Sequence, residues 1–364
     1  MEIRPHESIL QAFGIEGAGT TVEKFGSGHI NNTFLVKKED GTQLILQRIN
    51  TAVFKDPAAI ARNQRMAADY LALHHPDYLF ITPVPTLSGN DLFVYNNNEY
   101  WRVIPFIDGS VTVDQADDPA QAFQAAQQFG RLARYLDGID IQGFKPAIPD
   151  FHNLTLRYNT FKSAIIHAAE ERRLAAAELI KAFLQHADIA ATYERLVTDP
   201  QCPDRLMHHD TKINNVLLQK GTYKGLCVCD LDTLMPGKLI SDLGDMVRTY
   251  VSPVSEEEPD VSRITIREEY YHALMDGYLS EVGGALTPVE KAHLYYAGPF
   301  LVYMQGIRFL TDYLQGDVYY PVKHPQHNYN RAVNQLTLLE RLQEKQGVLQ
   351  EIIDTCLTKA RNDI

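Results

Sequence analysis

The sequence predicts an α+β protein of two unequal lobes, a small β-rich one over residues 1–108 and a large, mainly helical one over residues 109–364. Three observations carry this. The first hundred residues alternate short β-prone runs with turn signals and hold one helical stretch. After Asp108–Gly109 the chain is mostly in helical periodicity, and a single apolar hairpin, "NNVLLQKGTYKGLCVCDLD", interrupts those helices. At 364 residues the chain is also longer than one core usually serves.

The small lobe opens with the β-segment "TVEKFG". The run "NTFLVKKEDGTQLILQRIN" follows, in which Asp40–Gly41 between two β-prone halves signals a hairpin. From Asp56–Pro57 to Leu73 the habit becomes helical, with Pro57 suited to the first turn and Ile60, Ala67, Tyr70 and Leu71 available for one face. Two more strands are expected around "DLFVYN" and "EYWRVIPFI". Helices are then expected over 118–137, 153–170, 172–198, 264–282, 287–315 and 329–360, with strands at Val216–Leu218 and Leu226–Cys229.

Composition narrows the class of function. A formal charge of −12 argues against nucleic acid or an anionic membrane as partner, although a few local cations and backbone amides can still hold a phosphate. There is no run long and apolar enough to span a bilayer, and "MEIRPHESILQAF" does not read as a signal peptide. Cys202, Cys227, Cys229 and Cys356 lack zinc spacing and read as free thiols of a cytoplasmic protein. Nothing in the sequence separates a monomer from a homodimer.

The stretch "HHDTKINN", residues 208–215, concentrates polar side chains just before the hairpin. A hairpin returns the chain to its starting level, so Asp210 and Asn215 ahead of it and Asp230 at its end can meet. Asn215 and Asp230 offer hard oxygens of the kind that bind Mg²⁺ beside phosphate and water. Asp210 is then free to take a proton from a hydroxyl, and Lys212 supplies positive charge to a transferring phosphoryl group. The order His-x-Asp-x-x-x-x-Asn, hairpin, Asp is a phosphoryl-transfer layout.

On these residues the chain resembles the aminoglycoside phosphotransferase/choline kinase superfamily, whose members share a two-lobed protein-kinase-like fold. The resemblance implies ATP and Mg²⁺ as cofactors, a nucleotide-binding small lobe and a catalytic, substrate-binding large lobe. Asp210 stands at the base position, Asn215 and Asp230 at the metal positions, and Asp232 at a second acidic one. In "PGKLISDLGD" the resemblance implies that Asp242 braces the catalytic loop. Within the superfamily, "GSGHINNTFLV", "HDTKINNVLL", "DLDTLMPG" and "GIRFLTDYLQGDVYY" are similar to the N-acetylhexosamine 1-kinases. That likeness implies a sugar acceptor phosphorylated at its anomeric hydroxyl, with Arg308 and Tyr319 at sugar-contacting positions. Gly26, Ser27 and Gly28 fall where a kinase glycine loop covers phosphates.

One departure stands out. A kinase carries a Lys on its third strand, paired with a Glu of the next helix. Here the strand reads Leu44-Ile45-Leu46-Gln47-Arg48, and "PAAIARNQRMAADYL" contains no Glu. Gln47 and Arg48 must face opposite ways. Either Arg48 serves the nucleotide with another partner, or phosphate binding rests on Lys212, Mg²⁺ and backbone amides. Other hydroxyl acceptors (choline or ethanolamine, methylthioribose, homoserine, an aminoglycoside) and a catalytically silent binding protein are the competing expectations.

Overall fold

The computed structural model describes residues 5–17, 19–26 and 30–362. In the small lobe, helix α1 (Glu7–Ala12) precedes strands β1 (Thr21–Lys24), β2 (Asn32–Lys37) and β3 (Gln43–Ile49). Helix α2 (Pro57–His74) then crosses to β4 (Phe93–Tyr95) and β5 (Glu99–Pro105). The strands form one antiparallel sheet in the order β1-β2-β3-β5-β4. The Asp56 carboxylate caps α2 by accepting from Ala59 N at 3.0 Å, with Pro57 in the first turn.

Strand alternation divides this sheet. Phe34, Val36, Leu46, Trp101 and Val103 face one way and pack with Ile9 and Phe13 into the small lobe's own core. The residues between them, Thr33, Ile45, Gln47, Arg102 and Ile104, face the other way and line a cavity beneath the sheet. Pairing of Thr33 with Gln47 and of Gln47 with Arg102 sets three polar side chains in a row across β2, β3 and β5.

The large lobe begins with β6 (Ser110–Val111) and α3 (Pro119–Tyr135), followed by α4 (Leu154–His167), α5 (Glu170–Ala175), α6 (Ala177–Gln185) and α7 (Ala187–Thr198). Four short strands come next, β7 (Arg205–Met207), β8 (Val216–Gln219), β9 (Gly225–Val228) and β10 (Met235–Gly237). Helices α8 (Leu239–Tyr250), α9 (Glu268–Val282), α10 (Pro288–Ala292), α11 (Leu294–Leu314), α12 (His327–Glu344) and α13 (Gln346–Asn362) complete the chain. Phe129, Leu243, Tyr278, Phe300 and Leu310 lie in the continuous core beneath the short strands.

The helix expected over 172–198 is three helices, and those over 287–315 and 329–360 are two each, the former divided at His293. In the other two expected helices the joints are Ala176, His186 and Lys345, each with φ near −100° and ψ between 7° and 23°. No Gly or Pro marks them, so single-residue bends imposed by wrapping around the core override local propensity. Among the described residues, no helix is long and apolar enough to cross a membrane.

Candidate active site

Two small ladders fix two loops. β7 pairs antiparallel with β10 and β8 with β9, so residues 208–215 and 229–234 are both anchored at the same pair of ladders. Cys229 N donates to Asn215 O at 2.8 Å and joins the loops directly. Asp230 adopts a left-handed conformation, φ 54° and ψ 58°, which turns its carboxylate out of the hairpin.

Helix α8 holds the first loop from below. Asp242 and Asp245, one turn apart on the same face, point up into it. The Asp242 carboxylate accepts from His208 N at 2.9 Å and His209 N at 2.7 Å, and Asp245 accepts from Thr211 N at 2.8 Å. Thr211 Oγ1 donates to Asp242 O, and Tyr250 OH donates to Thr211 O. Arg248 pairs with Asp245 at 2.9 Å and with Glu256 at 2.6 Å.

The two histidines are structural. His208 Nδ1 accepts from Asp210 N, which leaves Nε2–H to donate to Cys229 O at 3.0 Å. His209 sits at φ 67° with Nδ1 beside Met207 O and Thr233 O. Burial pushes its imidazole down to about 4, so it is neutral and donates from Nδ1. Its other edge lies against Gly237, where a Cβ would come 2.2 Å from His209 Nε2. Gly237→Ala is therefore expected to displace the ring and to destabilise the protein by roughly 1–3 kcal/mol, read as a lower melting temperature.

The groups expected to react stand above this frame. Asp210 is paired with Lys212 Nζ at 2.9 Å, and Asn215 Nδ2 donates to both Asp210 O (2.8 Å) and Oδ2 (3.1 Å). Burial pushes the Asp210 carboxyl up, but Lys212, His208 and Asn215 outweigh it and hold the group below its ordinary value. With its amide nitrogen so fixed, Asn215 presents Oδ1 to the cavity, and the Asp230 carboxylate has no hydrogen bond among the described residues. Partial removal from water, then the carboxylates of Asp232 and Asp210, push Asp230 up to about 7, against Arg102 and Lys212. The unengaged oxygens of Asn215 and Asp230 fit a divalent cation that takes few protein ligands.

Of these groups, Asn215 and Asp230 line a cavity of about 310 Å³ between the sheet and the loops. Its apolar lining includes Ile45, Ile104, Phe106, Leu217 and Leu231, and its polar lining Gln47, Gln64, Arg102, Asn215 and Asp230. A second cavity of about 200 Å³ shares Asp114 and Asn214 with it and is lined by Lys212, Arg248, Glu256 and Gln335.

Two expected roles need correction. Arg48 does not line the cavity; it lies on the opposite face of β3, paired with Glu99 at 3.5 Å. Asp232 is not available as a metal ligand. Its Oδ1 accepts from Arg102 and from Gln64 at 3.1 Å, and its Oδ2 accepts from Asn31 at 2.7 Å. It is a tie from the large lobe to three small-lobe side chains. Gly26 lines the cavity at φ 76°, while Ser27, Gly28 and His29 lie outside the described residues.

Arg308 lies on α11, bonded to Gln305 at 3.1 Å and placed between the rings of Phe151 and Tyr320. Tyr319 packs edge-on against Tyr320, its backbone N–H held by the buried Asp312, and the residue is 69% exposed. Neither lines the larger cavity. His152 links this cluster to the catalytic loop, because its ring stacks on Phe151 and lies 5.5 Å from His209. Burial, then His209, Arg308, Arg248 and Arg157, push His152 far below its ordinary value.

A model of the APH phosphotransferase enzyme family matches residues 21–291, a span that includes the sheet, both loops and α8. The chain belongs to that family. Solved structures agree on the fold. A microcompartment-associated aminopropanol kinase is 16% identical, with 94% of this chain and 97% of that one covered and a TM-score of 0.61. The choline kinase of Cryptosporidium parvum is 15% identical, with 93% of each chain covered and a TM-score of 0.54. An amicoumacin kinase solved with AMP-PNP, Ca²⁺ and Ami is 15% identical, with 92% of this chain and 88% of that one covered and a TM-score of 0.57. The protein is thus a small-molecule phosphotransferase of this family, with the two-lobed protein-kinase-like fold.

Sequence reasoning missed Arg102 and Gln64 in this phosphotransferase. The signal for Arg102 was the strand register, since an arginine directly across from Gln47 shares its face. The signal for Gln64 was a polar residue on the inner face of α2, four after Ile60.

Proposed function

We propose that the protein transfers the γ-phosphoryl group of ATP to the anomeric hydroxyl of an N-acetylhexosamine, with Mg²⁺. The observation that carries this is the Asp210 carboxylate, held ionised between Lys212 and Asn215 and facing the unengaged oxygens of Asn215 and Asp230. The larger cavity is of the size and mixed lining that a nucleotide takes. The amicoumacin kinase, solved with an ATP analogue and a divalent cation, supports the same pairing here.

In this mechanism the acceptor hydroxyl lies against Asp210. Its oxygen forms a bond to the γ-phosphorus as the bond from that phosphorus to the bridging oxygen of ADP breaks, and the hydroxyl proton passes to Asp210. Lys212 faces the charge on the transferring group. Mg²⁺, when bound, would be held by Asn215 Oδ1 and Asp230 and would neutralise phosphate charge. Asp210 is a weak base, so its larger contribution is to orient the hydroxyl.

The acceptor side favours an uncharged, hydroxyl-rich substrate. Lys212 and Arg248 line the second cavity, each already paired, Lys212 with Asp210 and Arg248 with Asp245 and Glu256. A neutral sugar can bond to such paired groups and stack on Tyr320 or Tyr319.

An acceptor panel with MgATP decides the matter. ADP release with N-acetylglucosamine or N-acetylgalactosamine, and a product phosphate assigned by NMR to the anomeric carbon, is the expected result. Turnover of choline, ethanolamine or an aminoglycoside with none of the hexosamines would overturn the sugar reading and leave the family intact.

A further inference from the structure

The family pattern of a strand-three Lys with a helix Glu is absent, yet the cavity is not without a cation. Arg102 reaches it from β5, directly across from Gln47, which occupies the face where that Lys would point. Gln47 Oε1 accepts from Arg102 Nε at 2.9 Å, and Gln47 Nε2 donates to Thr33 Oγ1 at 3.1 Å. Arg102 Nη1 donates to Asp232 and, at 3.4 Å, to Gln64 of α2. Among the described residues, no hydrogen bond engages Nη2. The guanidinium is thus held at Nε and Nη1, with the Nη2 donors left over in a residue that lines the same cavity as Asp230 and Asn215.

We propose that Arg102, anchored by Asp232, is the residue that binds the nucleotide phosphates, the pair having moved to β5 and to the loop after the hairpin. This rests on the kinase reading above and names a part of its nucleotide site. Arg102 and Asp232 are 5% and 2% exposed as side chains, and a pair so buried gains little over an apolar substitute of the same shape. A flat fork with five donors can satisfy a carboxylate on one edge and phosphate oxygens on another, and a lysine cannot. The arrangement also couples two events. Asp232 belongs to the large lobe and receives Asn31, Gln64 and Arg102 from the small one, so the cation is in position only when the lobes are together.

The discriminating measurement compares two probes, adenosine and Mg²⁺–AMP-PNP, by calorimetry on wild type, Arg102→Gln and Arg102→Lys. A phosphate contact predicts AMP-PNP affinity about ten- to a hundredfold weaker in Arg102→Gln, with adenosine affinity unchanged. Arg102→Lys keeps a partner for Asp232 and therefore its fold, but its single ammonium cannot serve both anions, so its AMP-PNP affinity also falls. If Arg102→Gln does not fold, Arg102→Lys decides. Equal losses for both probes would make Arg102 a structural tie only, and unchanged AMP-PNP affinity in a folded variant would exclude it; either overturns the proposal. A wild-type protein that turns over MgATP in those cases preserves the kinase reading, whereas one that binds no nucleotide removes both.

Discussion

Asp210→Asn is expected to give a folded protein that binds nucleotide and almost fails to turn it over, with kcat lower by about 10²- to 10⁴-fold. The amide keeps the shape of the carboxylate and can still accept from Asn215, so the loop and its brace on α8 have no reason to move. Lys212 loses its partner, but its side chain is 47% exposed and returns to water at little cost. What disappears is the negative charge that orients the hydroxyl and takes its proton. The KM for MgATP and the melting temperature should therefore stay near wild type while kcat falls. Wild-type turnover would remove Asp210 from the mechanism, and a parallel loss of stability would mean that its role was to hold the loop.

This part of the site was legible because it is local. His208, Asp210, Lys212, Asn215 and Asp230 are close in the chain, and one hairpin brings their ends together. The strands and most helices were legible for the same reason, since period 2 and period 3.6 are properties of short windows. The errors arose where a role depends on a distant partner. Alternation on β3 puts Gln47 and Arg48 on opposite faces, but β3 alone does not say which face meets the large lobe. That depends on the packing of Phe34, Leu46 and Trp101 with Ile9 behind the sheet. Asp232 resembles a ligand by its spacing from Asp230, and only the approach of Asn31, Gln64 and Arg102 shows its oxygens already taken. Helix breaks at Ala176, His186 and Lys345 are likewise set by what each helix packs on.

Asp230→Asn should separate function from stability, with opposite signs for the two. Turnover should fall at least as far as in Asp210→Asn, because the site loses the carboxylate proposed to hold the cation while Asn215 alone remains for it. Nucleotide binding should also lose its dependence on Mg²⁺. The fold should survive, since Asn tolerates the left-handed backbone at this position and the Asp230 side chain makes no hydrogen bond among the described residues. Stability without metal is expected to rise. Asp230 is pushed up to about 7 by partial removal from water and by Asp232 and Asp210, so the folded protein binds a proton there more tightly than the unfolded chain does. Such a group makes the protein more stable as pH falls below about 7 toward the ordinary carboxylate value, and less stable as pH rises through 7. In EDTA at pH 8, Asp230→Asn removes that penalty, which solvent in the open cleft keeps to about 1 kcal/mol or less. Melting curves in EDTA across pH 5–8 should therefore diverge, with the variant above wild type at the alkaline end and the two converging at the acid end. Saturating Mg²⁺ with nucleotide should reverse the order, because wild type gains from binding both and the variant from the nucleotide alone. A variant less stable than wild type in EDTA at pH 8 would show that the Asp230 charge supports the fold, and would contradict its assignment as a group kept, at a cost in stability, for a cation.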